Sequence, residues 1–351
     1  MAMRLDDLLN QTGEWLKGTG PDSDIVISSR VRLARNIKGF HFFDWSNNAT
    51  RQKVKDLCKR EIASSNLMKN ALYVEMDKIN PIDRQFLFER HLVSREHLRN
   101  TDQKAVFISD KEIINIMINE EDHLRIQVLQ SGLNLTGAWD ILETLGKGLE
   151  RTLSFTYSEQ LGYLTACPTN VGTGMRASVM LHFPGLVMAR KIKEIVEAVS
   201  KLGLTVRGLF GEGTQASGNF FQVSNQVTLG PREEDIINSL QRVVKQLISH
   251  EQNSRKFLMS RKKEILADKI SRGYATLKGA HVITSQEALE LLSVVRLGVE
   301  TDIIKDIDKS ALNELFITIQ PAHLQKMKGK QLSASERDIE RAKLIREKLK
   351  R

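Results

Sequence analysis

KAVFISDKEIINIMINEEDHLRIQVL, residues 104–129, holds three apolar stretches separated by very short breaks. KAVFIS (104–109) and EIINIMIN (112–119) flank Asp110-Lys111, the spacing of a hairpin. HLRIQVL (123–129) supplies the next strand after an acidic break. Strands this close in sequence can only run antiparallel, because a parallel crossover needs a dozen or more residues. Upstream, IVISSRVRLA (25–34) alternates β-branched and polar residues as a strand does. Downstream, SVMLHF (178–183), TVRGLF (205–210) and NFFQVSNQVTL (219–229) give further strands. Helical periodicity covers 50–65, 135–153, 184–202 and 232–252. The pattern predicts an α+β fold with an antiparallel sheet flanked by helices. From about residue 255 strand signals fade and helical ones remain. Thr284 or Ser285 with Glu287 gives a helix start at 284–287. The expected division is an N-terminal segment (1–23), an α+β domain (24–254) and an all-helical domain (255–351).

Composition bounds the function. The 351 residues are 41% hydrophobic and 27% charged, as in globular proteins, and no apolar run reaches the ~18 residues of a membrane span. The N-terminus lacks the apolar core of a signal peptide. Two cysteines, Cys58 and Cys167, make no disulfide framework and no metal cluster, which points to a reducing cytoplasm. The net charge of +9 is concentrated at the end of the chain, where 255–351 carry 21 Lys and Arg against 13 Asp and Glu. A basic module meets nucleic acid, acidic proteins or phosphorylated ligands.

Four stretches carry candidate chemistry. In SSRVRLAR (28–35), Arg30 and Arg32 are two apart on a strand and share a face, as a polyphosphate site or as a solvated basic face. NEEDHLR (119–125) is either an acidic turn or a catalytic carboxylate cluster beside Arg125. CPTNVGTGMRAS (167–178) joins Cys167, two glycines and Arg176, as a long turn or as a backbone cradle for a ligand. VRGLFGEGTQASGNFF (206–221) adds Arg207 and Glu212 in a glycine-rich connection. Taken together, five arginines, two acidic sites and a thiol suit phosphoryl transfer, which needs charge compensation and alignment more than covalent chemistry.

In this order, the four motifs resemble the catalytic domain of the phosphagen (guanidino) kinases. That resemblance implies ATP as phosphoryl donor, with Mg2+ held mainly by the nucleotide and no protein metal ligand. It implies that Arg30, Arg32, Arg125, Arg176 and Arg207 clamp the phosphates. Ser28, Ser29, Ala177, Ser178, Leu209 and Gly211 complete the nucleotide site, and His91 in FERHLV lies beside the adenine. It implies Glu121 as catalytic base, Glu212 as its partner and Cys167 beside the substrate guanidinium. Met180 stands where small-substrate members usually place a second adenine-side histidine.

Two further departures refine the resemblance. Only about 27 residues precede SSRVR, where small-substrate members carry a helical lid, so a more open acceptor side is expected. RDIERA (337–342) follows in the helical tail. This combination resembles the bacterial protein-arginine kinases, whose RDxxRA motif binds phosphoarginine, and implies Arg337, Asp338 and Arg341 as that site. Alone, the six residues also read as a charged amphipathic helix. The resemblance further implies a cytoplasmic homodimer in stress response and protein quality control. It would phosphorylate protein arginines, including those of a heat-shock repressor, and work with a zinc-binding activator and a Clp protease. A kinase for free arginine or another small guanidine is the alternative enzyme. A nucleic-acid or partner-binding module on an inactive kinase fold is the alternative of another class.

Overall fold

The computed structural model describes residues 3–208 and 217–350. In chain order its elements are β1 (Val26–Arg35), α1 (Asn48–Ser64), β2 (Leu72–Glu75), α2 (Pro81–Glu89), β3 (Ala105–Ile108), β4 (Ile114–Ile118), β5 (Leu124–Ser131) and α3 (Leu135–Glu150). Then come β6 (Tyr157–Ser158), β7 (Gly162–Tyr163), β8 (Met175–His182), α4 (Pro184–Met188), α5 (Ile192–Lys201), β9 (Leu204–Gly208) and β10 (Phe220–Asn225). Helices α6 (Glu233–Arg261), α7 (Lys263–Gly279), α8 (Ser285–Glu300), α9 (Lys309–Thr318), α10 (Pro321–Lys328) and α11 (Ala334–Lys348) close the chain.

Eight strands form one sheet in the order β2-β3-β4-β5-β1-β8-β10-β9, every neighbouring pair antiparallel. β6 and β7 make a separate two-stranded hairpin. Strand alternation sorts the side chains by face. Val31, Leu33, Ile116, Ile126, Val128, Ala177 and Val179 lie in the core cluster that includes α1, α3, α5 and α6. On the other face, α2 and the N-terminal segment cover β2–β4. There Ile27, Leu129 and Phe220 pack with α8, α9 and α11. Between those two apolar patches the same face carries Arg30, Arg32, Arg125, Gln127, Arg176 and Ser178. The helical tail is therefore packed against the face that holds the charged residues. Thr284 caps α8, its hydroxyl accepting from Glu287 N at 3.2 Å.

Three boundaries differ from the periodicity. The 184–202 helix is interrupted at Arg190, whose positive φ of 60° turns the chain between α4 and α5. The last sheet strand ends at Asn225, not 229. The Asn225 side chain donates to Met175 O and Val227 O, drawing the chain off the ladder. The 232–252 helix runs on to Arg261, so position 254 falls inside α6, held by the buried Glu251–Arg255 pair and Leu258. Among the described residues, no helix is long and apolar enough to cross a membrane.

Candidate active site

The acidic break of the opening stretch is a tight turn joining β4 to β5. Asn119 takes a positive φ of 60°, its N–H donates to His123 O at 2.9 Å, and its amide donates to Arg51 O and Gln103 O. A turn splays consecutive side chains in different directions. Glu120 turns inward, buried, and pairs with Arg125 while accepting from Ser94 Oγ and from Glu121 N. Asp122, also buried, accepts from Asn36 Nδ2 at 2.6 Å and Ala166 N at 2.7 Å. His123 accepts from Ile37 N through Nδ1 at 3.0 Å and meets His41 O through Nε2. Glu121 alone of the three acids is left half-buried against a cavity.

That cavity encloses about 170 Å³, lined by Arg32, Glu120, Glu121, Asp122, Arg125, Cys167, Asn170, Gly174 and Arg176 among others. Its arginines come from adjacent strands: Arg32 of β1 stands opposite Arg176 of β8, and Arg125 lies on β5 on the other side of β1. Arg30 sits one step deeper on β1, its Nε 3.4 Å from Ser178 Oγ. Arg207 lies exposed on the edge strand β9 and adds its charge to the field at Arg176. Burial, then the charges of Arg125 and Arg176, push Arg30 down to about 10. Burial and its arginine neighbours push Arg32 and Arg176 down as well. Crowded cations of this kind signal a site shaped for a polyanion.

The carboxylates are driven apart. Burial raises Glu121, and the negative charges of Asp122 and Glu120 raise it further. Burial would also raise Glu120, but Arg125 and the bonds from Ser94 and Glu121 N outweigh it and hold Glu120 low. Adjacent carboxyls with opposite shifts allow one to remain a fixed anion while the other exchanges a proton.

The 167–174 loop brings Cys167 to the same cavity. Its Sγ lies 3.0 Å from Thr169 Oγ1. Gly174 is required where the loop enters β8: at its φ of +62°, a Cβ would stand 2.7 Å from Ala34 O. Arg35, stacked 3.4 Å from the Tyr163 ring centroid, donates to Thr173 O and pins the loop from behind.

Several expected residues fall elsewhere. Ser28 and Ser178 face the cluster, with His91 and Met180, around a small hollow walled by Trp15. Neighbours on a strand alternate, so the Ser29 side chain faces the opposite side of the sheet from Ser28. Its hydroxyl donates to Gly132 O at 2.8 Å and accepts from Asn134 N at 2.9 Å. The Ala177 side chain also points into the α3-side core. Leu209, Gly211 and Glu212 lie outside the described residues. In α11, Arg341 is 1% exposed, donating to Ile319 O and Ile283 O and pairing with Asp338. The partly exposed Arg337 donates to Leu332 O. Sequence reasoning gave no role to Glu120, Asp122, His123, Ser94 or Asn36. Among the described residues, no group of three His, Cys, Asp or Glu side chains is placed to hold a metal ion.

Comparison with known proteins agrees with this geometry. Residues 53–254 match the family model of the ATP:guanido phosphotransferase C-terminal catalytic domain. Residues 263–351 match that of the protein-arginine kinase McsB C-terminal domain. A protein-arginine kinase of Pelotomaculum thermopropionicum is 46% identical over 340 residues, 96% of each chain. One from Bacillus cereus strain AH187 is 44% identical over 99% of each. Among solved structures, a lombricine kinase is similar with TM-score 0.60 and 26% identity, covering 72% of this chain and 71% of that one. The duplicated taurocyamine kinase of Schistosoma mansoni with bound transition state analog components has TM-score 0.60 and 27% identity. It covers 70% of this chain, which spans only 35% of that longer one.

Proposed function

The chain belongs to the ATP:guanido phosphotransferase family and within it to the protein-arginine kinases, and on that premise we propose how its residues transfer phosphate from ATP to arginine. The observation that carries the reading is the single cavity where Arg32, Arg125 and Arg176 face Glu121 and Cys167. Arg30, Arg32, Arg125, Arg176 and Arg207 bind the phosphates, as bidentate donors matched to their oxygens. Ser28, Ser178, His91 and Met180 lie toward the base. Leu209 and Gly211 remain part of the proposed nucleotide site, and Glu212 remains the partner of Glu121.

A guanidinium is a poor nucleophile while protonated. Glu121 binds the acceptor guanidinium, aims one nitrogen at the γ-phosphorus, and takes its proton as the P–N bond forms. The bond from the γ-phosphorus to the bridging oxygen breaks at the same time, and ADP leaves. The raised pKa of Glu121 suits a group that must accept a proton. Cys167 contacts the guanidinium from the opposite side. Magnesium would arrive with the nucleotide, since among the described residues no group of side chains is placed to hold it, and when bound it would neutralise phosphate charge.

The same reading places the enzyme in the bacterial cytoplasm as a homodimer serving stress response and protein quality control. A heat-shock repressor is among its substrates, with a zinc-binding activator and a Clp protease as partners. In α11, Arg337, Asp338 and Arg341 form the phosphoarginine site, with Arg341 the most buried of the three. The test is Glu121→Gln, incubated with ATP, magnesium and an arginine-containing protein, with phosphoarginine read by mass spectrometry that preserves the P–N bond. Loss of the signal is expected. Undiminished phosphorylation would refute the mechanism, and turnover of free arginine with none on protein would refute the acceptor.

A further inference from the structure

A second concavity lies immediately behind the Cys167 loop. It is the more spacious of the two, about 560 Å³, and is bounded by the β6–β7 hairpin and residues 228–233. The two hollows share one wall. Thr169, Asn170 and Gly174 face the active-site cavity, while Gly172 and Thr173 face the groove. That wall is braced: Thr228 Oγ1 donates to Thr169 O at 2.9 Å and Val171 O at 2.7 Å, and Thr173 N donates to Thr228 O at 3.0 Å. The partition is one chain thick, and two extended residues span at most about 7 Å.

The groove's lining is mixed: Glu150, Gln160, Arg232 and Glu233 stand on it together with a cluster of exposed apolar side chains. Of the apolar ones, Tyr157 is 60% exposed, Leu161 46% and Leu229 50%. Tyr157 also packs edge-on against Tyr163, ring centroids 5.2 Å apart, so the aromatic wall is ordered. Apolar side chains clustered at an open concavity mark an interaction site, whereas scattered ones need no explanation.

We propose that this groove holds the flank of the protein substrate: an extended segment that places an apolar side chain among Tyr157, Leu161 and Leu229 while its arginine enters the cavity. The proposal rests on the reading of the cavity as the acceptor site. The occupant follows from continuity. An acceptor arginine carried on a protein brings its chain neighbours to the cavity mouth, and the groove lies across one loop from it. At about 3.3 Å per extended residue, the apolar side chain belongs two to four positions from the arginine.

The experiment compares two peptides, each with one arginine, flanked at those positions by leucine and phenylalanine or by serine and glycine. Wild type and Tyr157→Ala/Leu161→Ser are assayed for phosphoarginine formation with ATP and magnesium. Leu229→Ser serves as a second variant, and the KM for ATP and light scattering control for folding and assembly. Wild type is expected to favour the apolar-flanked peptide by about tenfold in kcat/KM, the scale of one well-seated side chain. Each variant is expected to lose that preference through KM, with the serine-glycine peptide and the KM for ATP unchanged. Phosphorylation of both peptides at equal efficiency, or a preference that survives both variants, overturns the groove while leaving the kinase reading intact. Variants that instead change the oligomeric state and keep the preference assign the groove to a second copy of the chain and also overturn it. A wild type that phosphorylates neither peptide overturns the acceptor reading and the groove together.

Discussion

Glu120→Gln separates positioning from chemistry. Glu120 is 3% exposed, pairs with Arg125, and accepts from Ser94 Oγ and, at 3.1 Å, from Glu121 N. Glutamine keeps the shape and one acceptor oxygen but removes the charge that aims the Arg125 guanidinium. A hydrogen bond to a charged group contributes about 1.5–3 kcal/mol. At 1.36 kcal/mol per decade, losing it lowers kcat/KM by about 10- to 100-fold. The pH dependence carries the sharper sign. Glu121 must be ionised to accept a proton, so activity is lost as pH falls through its raised pKa. Burial raises that pKa first, followed by the charges of Asp122 and Glu120. Removing the Glu120 charge takes away one raising influence, and the released Arg125 pulls in the same direction. The variant is therefore slower at its plateau yet retains its own maximum to lower pH than wild type. General damage to the fold would produce the first effect without the second. The assay is the initial rate of phosphoarginine formation across pH, at saturating ATP. An acid limb that stays in place or moves upward, or a plateau at the wild-type rate, would refute the coupling between the two carboxyls.

Asp122→Ala is expected to cost about 1–3 kcal/mol for the buried donors it strands, at Asn36 and Ala166. It should lower kcat by loosening the Cys167 loop while leaving the KM for ATP near wild type, as urea melts and kinetics will show. Polyphosphate should relieve the crowded arginines. At a hundred times its Kd, ATP should raise unfolding stability by about 2.7 kcal/mol, and tripolyphosphate should shift Tm in the same direction; an Arg32→Gln protein that shifts as far as wild type would contradict the clamp. Acid should destabilise the apo protein through its buried histidines. Burial, then the charges of Arg30 at His91 and Lys104 at His97, holds both near 3, against 6.5 unfolded. Because the unfolded chain takes up the protons, their contribution is complete above pH 6.5 and lost as pH falls toward 3, about 2 kcal/mol each by pH 5. A Tm that stays flat between pH 7 and pH 5 would count against this.

The sheet was readable because 104–129 leaves no room for crossovers, and Arg30 and Arg32 were placed on one face by period alone. The same period puts the Ser28 and Ser29 side chains on opposite faces, although they stand together in the motif. Other features rest on contacts that sequence order hides. Asn36 and Asp122 are 86 positions apart, and nothing near either foretells the bond. The break at Arg190 depends on a left-handed residue with no glycine to announce it. In α6 the apolar stripe continues through Leu258, so no signal marked a stop at 254. RDIERA alone reads as a charged amphipathic helix, but the packing of α11 buries Arg341 and leaves Arg337 partly exposed.

The acidic triplet explains how one carboxylate can work among so many cations. Three acids in a row would ordinarily repel and stay wet. Here the turn sends each a different way, and two are given partners: Arg125 and Ser94 for Glu120, Asn36 and Ala166 for Asp122. The bonds to Arg125 and Ala166 are also what tie β5 and the Cys167 loop to the turn, so the residues that flank Glu121 fix the phosphate side and the thiol side of the cavity at once. Burial, and then their residual negative charge, raises the proton affinity of Glu121, which has no such partner among the described residues and faces the cavity. Geometry and basicity thus have a common origin in the backbone of one hairpin. A single carboxylate at this position, without its two neighbours, would be drawn to the nearest arginine and neutralised as a base.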